Sequence, residues 1–438
     1  RGTVMSGRIK LGLTRNRLFE FCNCVSFVGT VERAFDKEEL ENALKLLFSK
    51  YPILSSKTEL TDNNSEADVV LNSVNPEISF LDADCEAFVS GEINSGIDFS
   101  EKNFEFYILN GNTLCIFAHT TVADNYFLLT LASDLLTLYN KETISVEESP
   151  MCLFSELSTV PLKAFSPVTE KLSAELEMKW LSKPLCFGID DYKAAREKYY
   201  ADEGEEACIK QSVDKELVNK LKAFCEKNKT DLSTAVAFCY YEALCKNNIG
   251  NKKHKKIYFQ TNRRCLLDES ADYLQGAHNG LLELFTDKKK KTSSLNERLI
   301  AFHQKTYKAF CSVSNNFEKD FFLMKLSPSF CDSAYINRGG LNKNKISQKL
   351  SANHLCGMGE AGEFAFVNFS QEYYQGLKCF NDVLATEPLK PRTATFLQFD
   401  YNENGARFIL KYRNKLITRE DAEKILADLK NISEKLNV

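Results

Sequence analysis

Apolar residues recur along this chain in two rhythms, and their alternation lays out the elements. Leu114 to Ala118 is a run of strand formers without a charge, which predicts a buried strand. Shortly after it, Leu128, Leu129, Ala132, Leu135, Leu136 and Tyr139 recur at helical spacing. The polar stretch between them, His119 Thr120 Thr121 Val122 Ala123 Asp124 Asn125, is therefore delivered into a loop between a core strand and a helix. Such a loop is polar in any fold, and an Asp there caps the helix. Its composition alone does not mark a site.

The same reading extends in both directions. Cys22 to Val31 is strand-like, and Asp36 with Glu39 has the form of a capping box. Leu40, Ala43, Leu44, Leu47 and Phe48 then predict a helix that stops at Tyr51 and Pro52. Val69 to Leu71, Ile78 to Leu81 and Phe104 to Leu109 read as short strands. Asn110 and Gly111, between the last of these and Thr113, predict a hairpin with a tight primed turn. Glu147 to Pro150 and Pro161 mark a linker, Val168 to Leu181 a helix, and Tyr192 to Glu205 a charged, exposed segment.

The pattern then restarts with a strand from Ala207 to Val213, Asp214 as a cap, and Leu217, Leu221, Phe224 and Cys225 on one helical face. A further helix begins near Asp231, a strand runs from Ile257 to Gln260, and a helix from Leu295 to Phe310. Ser327 to Lys349, rich in Ser, Asn and Gly, reads as loops. Phe364 to Ser370 is a strand, Thr395 to Asp400 and Arg407 to Tyr412 form a hairpin, and Thr418 or Asp421 caps a last helix through Leu436. Strand, Asp-Lys-Glu and helix in both halves suit two similar subdomains, with a boundary near 185 to 205.

Composition narrows the classes. A chain of 438 residues exceeds what one hydrophobic core usually serves, and 44% hydrophobic with 26% charged residues is ordinary for a globular protein. A net charge of -4 gives no general electrostatic affinity for nucleic acid. No apolar run reaches the roughly 18 to 20 residues a membrane span requires. Arg1 to Ser6 lacks a signal-peptide pattern, and a cytoplasmic protein is expected. The fifteen Cys include no Cys-x-x-Cys pair, and residues such as Cys115, Cys225, Cys239 and Cys245 lie in apolar stretches as small hydrophobes. Cys22 and Cys24 would need further ligands to hold a metal, and no metal site is expected. The five His show no ligand spacing, and there is neither a Gly-x-Ser-x-Gly elbow nor a Gly-rich phosphate loop.

The stretch from His119 to Asn125 resembles the His-His-x-x-x-Asp-Gly signature of the acyltransferase superfamily that includes chloramphenicol acetyltransferase, the condensation domains of nonribosomal peptide synthetases, the polyketide-associated acyltransferases and the alcohol acetyltransferases. Aligned on Asp124, His119 takes the first His position, Thr120 the second and Asn125 that of the Gly. In that superfamily the second His is the general base that deprotonates the acceptor as it attacks a thioester. A Thr hydroxyl is no useful base near neutral pH. Further pieces occur in family order: Tyr51 Pro52 Ile53 Leu54 at the end of the opening helix, Thr261 Asn262 Arg263 Arg264 after a strand, the Gly-rich return Gln275 to Gly280, and Asn368 after an apolar strand. The Asp-Phe-Gly-Trp-Gly segment of the plant and chloramphenicol branches is absent.

The resemblance implies an α/β fold of two chloramphenicol-acetyltransferase-like sandwich subdomains flanking a central tunnel. Residues 1–190 would form the N-terminal subdomain with the signature, and 191–438 the C-terminal one. It implies transfer of an acyl group from acyl-CoA or a carrier-protein thioester to a hydroxyl or amine, or, with the base missing, a non-catalytic binding or scaffold protein. His119, Thr120 and Asp124 take the catalytic positions, while Asn125, Asn368, His278 and His354 line the substrate. Arg17 would pair with Asp124, and Arg264 would be structural or line the tunnel. No cofactor is expected to be bound permanently, acyl-CoA or a phosphopantetheine thioester being a co-substrate. The partners implied are a small-molecule donor and acceptor and an acyl carrier protein. Lys288 to Lys291 and the lysines around His254 read as a solvated loop or as ligands of the donor's phosphates.

Overall fold

The structure, a computed structural model, describes residues 7–61, 66–75, 77–145, 166–249, 256–266, 276–285, 293–338, 344–350, 362–368, 374–389, 393–402 and 405–436. Its first half runs β1 (Arg8–Lys10), β2 (Cys24–Val31), α1 (Lys37–Lys50), β3 (Lys57–Leu60), β4 (Ala67–Val70), β5 (Ser79–Leu81), α2 (Cys85–Ser95), β6 (Phe104–Leu109), β7 (Thr113–His119), α3 (Asn125–Tyr139), α4 (Pro167–Leu181) and α5 (Ile189–Glu203). The second runs β8 (Glu206–Val213), α6 (Lys215–Asn228), α7 (Leu232–Lys246), β9 (Lys256–Asn262), β10 (Asn279–Phe285), α8 (Leu295–Phe310), α9 (Val313–Met324), α10 (Pro328–Arg338), α11 (Lys345–Leu350), β11 (Glu363–Asn368), β12 (Phe380–Thr386), β13 (Thr395–Asn402), β14 (Gly405–Arg413) and α12 (Arg419–Glu434).

Two sheets carry the architecture. The first has the order β12-β2-β7-β6-β5 and the second β10-β9-β11-β13-β14-β8, while β1, β4 and β3 form a small third sheet. In β7 every residue is buried, because α1 and α3 pack on the face of Leu114, Ile116 and Ala118 while α2 covers that of Cys115 and Phe117. The preceding hairpin turns as its sequence requires: Asn110 and Gly111 both have positive φ, at 52° and 76°, and Asn112 N–H donates to Leu109 O. Asp36 caps α1 by accepting from Glu39 N–H at 2.9 Å.

The halves are not closed units. β12 comes from the second half of the chain yet pairs antiparallel with β2 in the first sheet, where the Phe380 ring lies over Gly29. A Cβ at Gly29 would stand 2.6 Å from that ring, so the close approach needs glycine. Phe322, Leu323, Leu326, Phe330 and Leu350 also join the first core.

Two sequence expectations need correction. Tyr192 to Glu205 is not an exposed segment but mostly helix α5, with Tyr192, Ala195 and Tyr199 buried against Phe19 and Phe21. Three apolar side chains at spacings of three and four are enough to dock a helix whose other faces are charged. Ser327 to Lys349 contains helices α10 and α11 rather than loops alone. Its serines are satisfied inside the packing: Ser333 Oγ donates to Phe330 O at 2.8 Å and lies 2.7 Å from Ser347 Oγ.

Candidate functional site

The polar stretch after β7 folds into a tight turn. His119 is the last strand residue, opposite Cys24 of β2, and its carbonyl accepts from the N–H groups of Val122 and Ala123. Asp124 then caps α3, accepting from Phe127 N–H at 2.8 Å. The chain therefore turns directly after the strand, and Thr120 N–H is held by Asn23 O at 2.9 Å.

This geometry separates the two side chains that matter most. His119 is fully buried, with Nδ1 at 2.7 Å from Thr121 Oγ1 and accepting from Thr121 N–H at 3.3 Å, and its ring packs edge-on against Phe99. Thr120 Oγ1 is buried and has no hydrogen-bond partner among the described residues. The Nδ1 atom of His119 thus faces Thr121, while Thr120 Oγ1 has no such contact among the described residues.

Asp124 is the centre of the lobe junction. Its carboxylate is fully buried and forms a bidentate pair with Arg264, Nη1 to Oδ2 at 2.8 Å and Nη2 to Oδ1 at 3.1 Å. His278 N–H donates to Oδ2 at 2.8 Å. Arg264 is oriented in turn by Gly276 O and Asn262 Oδ1. Burial alone would push the Asp124 carboxyl up, but the Arg264 charge and hydrogen bonds, with main-chain help from Phe127, hold it below the usual range. The partner expected for Asp124 was Arg17, and that pairing is corrected: the guanidinium comes from Arg264. Arg17 instead stands 3.8 Å from Glu20, beside a cavity of 40 Å³ bounded by Gln260, Asn279, Asp320 and Glu363.

Of the other anticipated residues, Asn125 and His278 adjoin Asp124 and Asn368 stands apart. Asn125 is fully buried; its N–H donates to Glu387 Oε1 at 2.8 Å, while both polar atoms of its side-chain amide lack a partner among the described residues. His278 is fully buried, its main-chain N–H on Asp124 Oδ2. Asn368 is exposed at the end of β11. His354, His254 and Lys288 to Lys291 lie outside the described residues. Among the described residues no group of three or more His, Cys, Asp or Glu is placed to hold a metal ion, and no helix is long and apolar enough to cross a membrane.

A cleft of about 790 Å³ opens between the lobes, walled by β2 and α2 on one side and by β8, β14 and α12 on the other. Beside it Lys411 pairs with Glu206 at 2.8 Å and donates to Thr386 Oγ1, which stands 3.0 Å from Ser26 Oγ. Burial opposes the Glu206 charge, but Lys411 and Arg413 hold its carboxyl below the usual range. Neither this cleft nor the small cavity at Arg17 has Thr120 or Asp124 in its lining. Sequence reasoning missed Lys411 and Glu206. The available signal was a lysine set in the apolar run Phe408 to Tyr412, where a buried charge demands a partner.

The mixed α/β architecture, with its two main sheets, has the chloramphenicol acetyltransferase-like fold of condensation domains. Among solved structures, the chain is similar to the condensation domain of the monacolin K polyketide synthase MokA, with a TM-score of 0.66 at 12% identity over 97% of this chain and 96% of that one. The epimerization domain from the third module of tyrocidine synthetase B gives 0.65 at 10% identity, over 100% and 98% of the two chains. The TRI3 trichothecene 15-O-acetyltransferase from Fusarium sporotrichioides gives 0.63 at 12% identity, over 100% and 98%. At such identities the likeness is one of fold. No protein-family model matches the chain, and no curated protein matches it in sequence.

Proposed function

We propose that this protein binds an acyl thioester, carried by coenzyme A or by a carrier protein, at the lobe junction and lacks the imidazole base that would transfer its acyl group. The observation that carries this reading is the buried Thr120 hydroxyl, which has no partner among the described residues while the neighbouring imidazole of His119 is spent on Thr121. A hydroxyl in that position offers a ligand one hydrogen bond and no proton uptake. The buried, unpartnered amide of Asn125 adds a donor and an acceptor one turn further on. The solved neighbours support a range of chemistry on one scaffold, since their names give condensation, epimerization and O-acetylation, and a shared fold does not choose among them.

The alternative reading is acyl transfer to a hydroxyl or to an amine that is already neutral when it arrives. His278, whose main-chain N–H donates to the Asp124 carboxylate at 2.8 Å, carries the imidazole that would serve it. The two separate in one experiment, in which wild type and Thr120→His are assayed with acetyl-CoA and a panel of alcohols and amines. The expected result is a wild type that is stabilised by the thioester in a melting assay but turns nothing over, and a Thr120→His variant that gains at least about 100-fold over background, the usual scale of a positioned base. Turnover by wild type that survives Thr120→Val would overturn the proposal.

A further inference from the structure

Ser26 of β2 and Thr386 of β12 are cross-strand partners, and both are buried side chains in the lining of the inter-lobe cleft. Their oxygens stand 3.0 Å apart, so one hydroxyl donates to the other. Behind them lies the Lys411 ammonium, whose three hydrogens meet three acceptors: Glu206 Oε1 at 2.8 Å, Thr386 Oγ1 at 2.8 Å and Glu387 O at 2.9 Å. An ammonium only donates, so the Thr386 oxygen accepts from it. Two hydroxyls supply two hydrogens, and the bond between them uses one. The second has no acceptor among the described residues, although both side chains are almost wholly out of water. The Lys411 charge polarises that remaining donor.

We propose that the cleft is a second binding site, for an uncharged ligand whose carbonyl oxygen accepts the remaining hydroxyl hydrogen of the Ser26–Thr386 pair. The hydrocarbon body of the ligand lies along Val28 and Leu384, the next residues on the same face of β2 and β12, and along Val89 of α2 and Leu426 of α12. A cavity of about 790 Å³ has room for both parts. Neither Thr120 nor Asp124 is in its lining, so the site is separate from the thioester site proposed at the lobe junction.

Charge selects the head group. Among the described residues the cations of the lining are Lys411, Lys210 and Arg419, and each has a carboxylate at hand: Glu206 at 2.8 Å, Glu86 at 3.8 Å and Glu423 at 3.0 Å. Glu205 adds a further carboxylate. A carboxylate or phosphate head would therefore enter a wall of net negative charge and find no Lys411 hydrogen to take. An ammonium head would stand one hydroxyl away from the Lys411 ammonium. A neutral carbonyl meets neither penalty.

The test is equilibrium dialysis of the full chain, near pH 7, against octanamide, octanoate and octylammonium, which share a hydrocarbon body and carry a neutral, an anionic and a cationic head. Wild type should hold octanamide at least about tenfold more tightly than either ion. Thr386→Val releases one Lys411 hydrogen toward the cleft and should strengthen octanoate about fivefold. Ser26→Ala combined with Thr386→Val removes both hydroxyls and should weaken octanamide about fivefold. If these buried changes unfold the chain, Ser90→Trp, at an exposed position of α2 in the lining, should abolish octanamide binding by bulk alone. Either ion held as tightly as octanamide by wild type, no saturable octanamide binding, or binding undisturbed by Ser90→Trp would overturn the proposal.

Discussion

Two of the buried Asp–Arg pairs among the described residues behave in opposite ways. Asp124 with Arg264 joins the lobes, whereas Asp332 of α10 with Arg15, in the 3₁₀ turn Gly12–Arg17, works inside the first lobe. Both are bidentate, at 2.8 and 3.1 Å in one and 2.8 and 3.0 Å in the other, and both are almost wholly out of water. Yet Asp124 is held below the usual carboxyl range, and Asp332 is pushed up to about 6. The guanidinium is common to both, so the difference lies in what else faces each carboxylate, His278 and the Phe127 N–H at Asp124. Asp124 accepts the N–H groups of Phe127 and His278 at the start of α3, while burial of Asp332 is opposed by Arg15 alone. A buried ion pair is stable in its charged form when backbone donors share the load.

The largest effect expected is at the lobe junction. Asp124→Asn should cost about 3 kcal/mol in urea unfolding, because Arg264 is left buried beside a neutral amide. Asp332→Asn should stay within about 1 kcal/mol of wild type at pH 7, since that carboxylate is already disfavoured by burial. Equal losses at the two positions would erase the contrast.

The pH dependence sharpens it. Stability linked to Asp332 is fully present below its unfolded value of 3.8 and is lost as pH rises through about 6. Stability linked to Asp124 is present above 3.8 and is lost as pH falls through its lowered folded value. Unfolding measured against pH should therefore show a fall between 3.8 and about 6 that Asp332→Asn reduces and Asp124→Asn leaves in place. Asp400, also pushed up to about 6 by burial, supplies part of the remaining slope.

The smallest effect isolates capping. Asp36 performs for α1 the service Asp124 performs for α3, without a buried arginine, and Asp36→Ala should cost about 1 kcal/mol by the same unfolding measurement. A loss as large as that of Asp124→Asn would mean that the cap, and not the ion pair, dominates at the junction.

Much of this was legible in the chain because it is local. The Asn110–Gly111 turn, the Asp36 and Asp124 caps and the buried strand Leu114 to Ala118 all rest on neighbours in sequence. What escaped rests on distance. Arg264 lies 140 positions from Asp124 and Asp332 lies 317 from Arg15, and nothing in either neighbourhood tells one arginine from Arg17, which sits nearer to the expected pattern. Helix α5 was hidden because a thin apolar stripe of Tyr192, Ala195 and Tyr199 is enough to dock a charged helix. Helix α10 was hidden because its serines bond within the packing instead of breaking it. The placing of this stretch, with His119 turned to Thr121 and the Thr120 hydroxyl without a partner among the described residues, depends on a turn whose direction no pattern of apolar residues encodes.

The strand exchange governs how the polypeptide comes together. Without Phe380–Thr386 the first sheet ends at β2, whose long, largely buried edge is a template for other chains. Synthesis runs from the N-terminus, so that edge stands open until some 350 further residues have emerged, and the contact that closes it has very high sequence separation. A fragment ending near residue 190 would keep that hazard permanently, and the two lobes are therefore partners in assembly before they are partners around a cleft.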